Sequence, residues 1–458
     1  MTDNSSFTLD IGEAITPLDG RNRHKIIKLS KYFSDFILTK HRVRLETDLL
    51  VKLSQYKVIR KFSRSELNFL NRFVAGFNFE NYKRVREIEK KTNHEAKAAE
   101  EFVREQLART SLKDIAQMIH FGITSDDINN LAYGLMIKEV VGQVFFPELE
   151  SVLKSLKQAA LKYKSLAMLS RTHGQPAAPT TMGKEFSVYY KRLKDEVEIL
   201  GKLKIKGKLT GNTGNFNAHQ FIFPKVDWLK FSQEFVSFLH LEPDLATTQI
   251  EPYDSLIRLF QSLARINNVL IGLSIDFWFY ISMGYFKQKL IKSEVGSTAM
   301  PHKINPIYFE GAEGGFGIAN ALFEFYCRKL SYSRLQRDLS DSTVRRSFGA
   351  AFGYSMLSYQ SINEALSRIE ADKDNINNDL KKHFEVISEA VQNFLRTKNY
   401  HEAYDKTKLF FRGKQVNGDS IKKFIESLKI DKQDKEKLIG LLPENYTGLA
   451  EKIVEKIL

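Results

Sequence analysis

Proline is missing from two long tracts of this 458-residue chain: none stands between Pro17 and Pro147, and none between Pro306 and Pro443. A proline inside a helix removes a backbone donor and clashes with the preceding turn, so helix interiors reject it. Tracts of this length without one favour an all-α fold. The periodicity agrees. Leu149, Val152, Leu153, Leu156, Ala160 and Tyr163 form an i, i+3, i+4, i+7 stripe beside Lys and Glu, the mark of an amphipathic helix. Over Leu256–Phe286 the pattern turns apolar nearly all round, and a helix without a polar face must be buried on every side. Gly207–His219 (GKLTGNTGNFNAH) and Ala371–Asn378 (ADKDNINN) read as polar breaks between helices. The length suggests two to four lobes. The expected division is an N-terminal helical part (1–112), a central long-helix bundle (113–366) and a small helical C-terminal part (367–458).

Composition narrows the function classes. The 69 Lys+Arg against 55 Asp+Glu give a formal charge of +14, which suits nucleic acid, small anions or merely a basic surface. The basic residues are dispersed rather than gathered into a stripe, and no zinc-finger, Walker or RNP pattern accompanies them, so nucleic acid is not the expected partner. One cysteine, Cys327, can form neither an internal disulfide nor a zinc site alone, and a reducing compartment is the natural reading. No signal peptide is visible, and the most apolar stretch is interrupted by Asp276. The expectation is a soluble, cytoplasmic protein with no membrane partner.

Chemistry concentrates in a few unusual segments. Half of the prolines fall in three of them, where a stiff, irregular backbone is expected. In Arg171–Thr180 (RTHGQPAAPT), His173 is the residue able to exchange a proton near neutral pH, or else a hydrogen-bonded turn histidine. In Ser293–Pro306 (SEVGSTAMPHKINP), a hydroxyl, a cation and an amide share one loop, a set that can supply a base with electrostatic partners. Thr124–Asp127 reads as a helix start, with hydroxyls at the cap and acids in the first turn; such a terminus can also take a carboxylate or phosphate. Arg334–Arg346 (RLQRDLSDSTVRR) is either a solvated basic face or a phosphate grip.

Together and in this order, these segments resemble the fumarase/aspartase superfamily and, within it, the adenylosuccinate lyase family. GSTAMPHKINP matches the superfamily's GSSxMPxKxNP loop, while RTHGQPA, TTQIEPYD, RDLSDSTVRR, NHE and LDGRNR are similar to the adenylosuccinate lyase pattern. The resemblance runs from Asp19 to Arg346. It implies an all-helical homotetramer with a twenty-helix core and active sites shared between subunits. It also implies β-elimination of fumarate from adenylosuccinate, giving AMP, and from SAICAR, giving AICAR, with no metal and no cofactor.

The same resemblance implies the roles. Ser297 is the general base and His173 the general acid. Thr124, Ser125, Thr172, Gln249, Lys303 and Asn305 hold the succinyl carboxylates. Arg21, Arg337, Ser342 and Arg346 grip the phosphate, and His94 orients the substrate. Asn93, Glu95, Thr298, Ile304, Thr343, Val344 and Arg345 complete the implied substrate-binding set. Thr298 stands where a second Ser is usual and Glu95 where Asp is usual. Asn22 and Gly311 replace a usual Tyr and Asn and are left out of the implied site. The readings weighed against this one are a sister lyase, such as argininosuccinate lyase or fumarase, and a non-catalytic helical scaffold.

Overall fold

A computed structural model describes residues 11–291, 299–414 and 416–458. It is all-α apart from three small two-stranded sheets. The described residues gather into two compact units. Those within Met1–Glu148, Val197–Asn267 and Gly315–Leu357 form one, and those within Leu149–Glu196, Asn268–Gly314 and Ser358–Leu458 form the other. No described helix is long and apolar enough to cross a membrane.

In the first unit, capping residues fix where the N-terminal helices begin. Ser63 and Glu66 exchange bonds at the start of Arg64–Ala75, and Asn78 and Asn81 do the same for Phe79–Thr92. Each capping box satisfies donors that a helix start otherwise leaves open. These helices, with Asp35–Gln55 and Glu95–Leu107, pack around Val43, Leu50, Leu70, Phe77, Phe102 and Val103. The rest of this unit's core is aromatic. Phe260 lies 5.0 Å from Phe348 and 5.6 Å from both Phe323 and Tyr326, ring to ring. A polar tie runs through the same layer: the Asn267 amide donates to Asn320 at 2.9 Å and to Ser355 at 3.1 Å. Cys327 packs nearby against the Ile257 carbonyl, its thiol pushed up to about 11 by burial, as suits an inert side chain.

The second unit is built on Phe146–Lys162, Met182–Lys202 and later helices, around Phe186, which lies 4.4 Å from Phe277 and 6.1 Å from Tyr163 and Phe286. A C-terminal cluster of Leu380, Val386, Ile387, Val391, Leu395 and Ile425 completes it.

The apolar run at 256–286 forms the helix Asp254–Ser282. It is not buried on every side within one chain, because Ile275, Trp278 and Phe279 remain 38%, 39% and 53% exposed. Two expectations about breaks need correcting. RTHGQPAAPT is not an irregular loop. It is a β-hairpin, Ala167–Thr172 against Gln175–Thr181, because the pair His173–Gly174 makes a two-residue turn with φ of +54° and +73°. Nor is Ala371–Asn378 a break: after the Ile369–Ala371 strand, Asp372 caps the helix Lys373–Lys381 by accepting from the Asn375 N–H at 3.2 Å. Polar residues there mark a helix start, not an interruption.

The aromatic layer should carry much of the first unit's stability. Phe260→Ala is expected to lower it by about 3–5 kcal/mol, read as a reduced denaturation midpoint with unchanged slope.

Candidate active site

In the first unit the site grows from the start of the Ser125–Val140 helix. Thr124 is its cap, and its N–H donates to Asp127 Oδ2 at 2.8 Å. The two acids behind it are not solvent-facing charges but fully buried anchors. Asp127 Oδ1 accepts from Lys208 Nζ at 3.0 Å, from the Thr210 N–H at 2.9 Å and from the Gly211 N–H at 3.3 Å. Lys208 is itself wholly buried and also donates to the Gly211 carbonyl at 3.0 Å. The glycine-rich segment is thereby clamped to the helix start.

Asp126 reaches the arginine-rich segment instead. Arg345 Nη1 lies 3.0 Å from Asp126 Oδ1, and Arg337 Nη2 lies 3.8 Å from it. Arg345 also pairs with Asp341 at 3.1 Å and sits over the rings of Tyr133 and Tyr253. Its guanidinium faces the protein interior, as does the side chain of Val344, whereas Thr343 and Arg346 are exposed and Ser342 is half-buried. Arg337 donates to Gln249 Oε1 at 3.4 Å, and Gln249 in turn donates to Asn212.

The NHE segment lies at a helix corner. Asn93, at φ +49°, ends Phe79–Thr92, and His94 caps Glu95–Leu107 by accepting the Lys97 N–H on Nδ1 at 3.1 Å. An accepting Nδ1 leaves the proton on Nε2, so neutral His94 presents an N–H donor outward. Glu95 bridges two arginines, pairing with exposed Arg346 and, at 2.6 Å, with buried Arg42; Arg42 Nε continues to Asn129 at 2.9 Å. Burial works to raise the Glu95 carboxyl, but the two guanidiniums outweigh it and hold it below the usual carboxylate range. Arg346 also lines a cavity of about 410 Å³ with Thr16, Asp19 and Arg23, in the segment where exposed Arg21 stands.

In the second unit, Thr172 and His173 are exposed at the tip of the hairpin. Lys303, exposed, follows a turn closed by its N–H to the Met300 carbonyl at 3.0 Å. Gln288 holds the Ile304 carbonyl at 2.9 Å, just before half-buried Asn305. Ser297 and Thr298 lie outside the described residues.

Several residues at the site carry no signal in the sequence that would single them out. Arg42 is one more cation in a charged helix until its burial is seen. Lys208 falls inside the glycine-rich break, and Glu251 inside QIEPYD, where nothing local marks a buried charge. Burial pushes the Glu251 carboxyl up to about 8 against the pull of the Tyr253 N–H, which it accepts at 2.8 Å; Asp244, Asp126 and Asp254 add to the rise. Among the described residues no group of three His, Cys, Asp or Glu could hold a metal ion.

Known proteins share this fold and much of this sequence. The fold is shared with a fumarate lyase from Mesorhizobium sp. BNC1 (TM-score 0.77, 18% identity, 94% of this chain and 97% of the other). It is shared as well with the 3-carboxy-cis,cis-muconate lactonizing enzyme of Pseudomonas putida (TM-score 0.74, 16% identity, 94% and 96% covered). A family described as Lyase matches residues 27–317, so the class is that of a lyase on this helical fold. The family described as Adenylosuccinate lyase C-terminal matches residues 333–447. The chain is 43% identical over 453 residues to the adenylosuccinate lyase of Legionella pneumophila (strain Corby), covering 98% of this chain and 99% of that one. It is 40% identical over 448 residues to that of Escherichia coli (strain K12), covering 97% and 98%. The chain belongs to the adenylosuccinate lyase family.

The raised Glu251 carboxyl has a consequence for stability. A group that holds its proton more tightly when folded contributes fully below the ordinary carboxylate range, and that contribution is lost as pH rises through about 8. Glu251→Gln keeps an acceptor for Tyr253 and cannot ionise. Its Tm is expected to match wild type near pH 5 and to exceed it by several degrees above pH 8; parallel profiles would refute the assignment.

Proposed function

We propose that this chain cleaves adenylosuccinate to AMP and fumarate, and SAICAR to AICAR and fumarate, in the cytoplasm, as a homotetramer with active sites shared between subunits. The observation that carries this reading is the meeting of NHE, TSDD and RDLSDSTVRR, far apart in sequence, through Glu95, Arg42, Asn129, Asp126, Arg345 and Arg346. A dianionic phosphate and two carboxylates call for this combination of guanidiniums, hydroxyls and a helix start. Arg21, Arg337, Ser342 and Arg346 take the phosphate. Thr124, Ser125, Thr172, Gln249, Lys303 and Asn305 take the carboxylates, and His94 directs its Nε2–H at the substrate. Arg345 contributes by orienting its neighbours.

The elimination then follows. Ser297 removes the proton from the succinyl Cβ, and the electron pair left behind delocalises into the adjacent carboxylate. Lys303 and Asn305 stabilise that added charge. As the pair returns to form the double bond of fumarate, the C–N bond breaks and the nitrogen keeps its bonding electrons. His173 supplies the nitrogen's proton. Serine is a weak base, so Ser297 depends on nearby cations and N–H donors to favour its ionised form. No metal or cofactor takes part in this scheme.

Assembly has its own support. Ile275, Trp278 and Phe279, with Ile318 and Phe325, leave apolar surface uncovered on the long helices of a single chain, as a helix core completed by other subunits would require. The clusters at 43–119 and 380–438 fit separate compact segments toward the two ends of the chain.

The test is fumarate release from adenylosuccinate by chelator-treated protein. Ser297→Ala is expected to lower kcat by at least about a thousandfold with substrate affinity retained, because a base acts on the transition state. Arg346→Ala is expected chiefly to raise KM. Wild-type turnover by Ser297→Ala would overturn the role assignment, and absence of fumarate from wild type would overturn the reaction. Mixed tetramers refolded from His173→Ala and Ser297→Ala chains are expected to regain up to about a quarter of wild-type activity if sites are shared, and none if one chain supplies both groups.

A further inference from the structure

The hairpin that carries His173 needs outside support. Two short strands joined by a tight turn are marginal alone in water. Pro176 and Pro179 have no N–H to give the ladder. His173 itself occupies the left-handed region, which a residue with a Cβ adopts only when its surroundings enforce it. Two anchors supply that enforcement, both involving the C-terminal segment. The irregularity between Met168 and Ser170 leaves Leu169 packed in the core of Leu380, Val386 and Ile387. Two residues before His173, Arg171 donates to Asp379 Oδ2 at 2.7 Å and to the Tyr285 hydroxyl at 3.0 Å, and that hydroxyl donates to the same Asp379 oxygen at 2.5 Å. Asp379 and Leu380 are neighbours on one helix, so a single turn of Lys373–Lys381 holds the strand by charge and by packing together. Tyr285 is fixed in turn. It is 1% exposed, and its carbonyl accepts the Asp372 N–H at 2.9 Å beside the Phe286–Gln288/Ile369–Ala371 pair.

The charge states suit a permanent strut. Burial acts to raise the Asp379 carboxyl, but Tyr285 and Arg171 reverse it and hold it below its ordinary value. Burial and the Asp379 bond push the Tyr285 phenol up to about 12. His383 and Glu385, which pair at 2.7 Å, stand beyond Asp379, with His383 Nε2 3.6 Å from Asp379 Oδ1.

We propose that Asp379 and Tyr285, acting through Arg171, are positioning residues that set the turn bearing His173 for proton delivery. This rests on the reading of His173 as general acid. The C-terminal segment, which carries none of the recognised motifs, thus takes part in catalysis from behind the hairpin.

The experiment is steady-state fumarate release by Asp379→Asn, Tyr285→Phe and His173→Ala, and by Asp379→Asn combined with His173→Ala. Asp379→Asn is expected to lower kcat roughly ten- to a hundredfold, the cost of a reacting group displaced by about 1 Å, with KM little changed. Tyr285→Phe should show a smaller loss of the same kind, and it carries the test if Asp379→Asn fails to fold. With His173 already removed, Asp379→Asn should cost nothing further, because a residue that acts only through His173 has nothing left to position. An unchanged kcat in both single variants, or the same fractional loss in the His173→Ala background, would overturn the positioning role. Full activity of His173→Ala alone would instead overturn the general-acid reading beneath it.

Discussion

Two adjacent buried carboxylates, Asp126 and Asp127, hold the nucleotide end of the proposed site together. One gathers the glycine-rich segment through Lys208, Thr210 and Gly211, and the other gathers the arginine-rich segment through Arg345. Removing one partner of such a pair strands a charge away from water at a cost of about 3–5 kcal/mol, a large fraction of a typical domain's net stability. That asymmetry turns a helix start into a fixed hub. Thr124, whose own N–H is taken by Asp127, and Ser125 then stand at a helix start whose direction is set by the acids beneath them.

Around the hub, the arginines divide their labour by burial. Arg345 and Arg42 are enclosed and neutralised by Asp126, Asp341 and Glu95, which makes them part of the frame. Arg346 is exposed and shares Glu95 with Arg42. In the proposed scheme a phosphate at Arg346 competes with a carboxylate already matched to Arg42, so exchange costs less than stripping a lone ion pair would. Glu95, one methylene longer than the aspartate usual at its position, has the reach to serve both guanidiniums.

Much of this was legible in the chain. The missing prolines and the apolar periodicity gave the helices, because both act within a few residues of the bonds they affect. The motif segments supply the expected members of the site, and Thr124 is readable as a cap. What stayed hidden depends on distance. Asp126 and Arg345 are 219 residues apart, and no local pattern distinguishes a first-turn acid that faces water from one that anchors an arginine. Arg42 and Lys208 were invisible for the same reason. The hairpin escaped because its prolines suggested irregular backbone, whereas His173 and Gly174 together supply the two positive φ angles that a tight turn needs. The Arg171–Tyr285–Asp379 strut joins three segments, and only the first carries a motif.

The most direct measurement is a crystal structure of the wild-type protein with AMP and fumarate bound. The expected result has the phosphate on Arg346 and Ser342, with Arg346 released from Glu95, and a fumarate carboxylate on the Thr124 and Ser125 hydroxyls above an unmoved Asp126–Arg345 pair. A nucleotide bound elsewhere, with Arg346 still on Glu95, would contradict it.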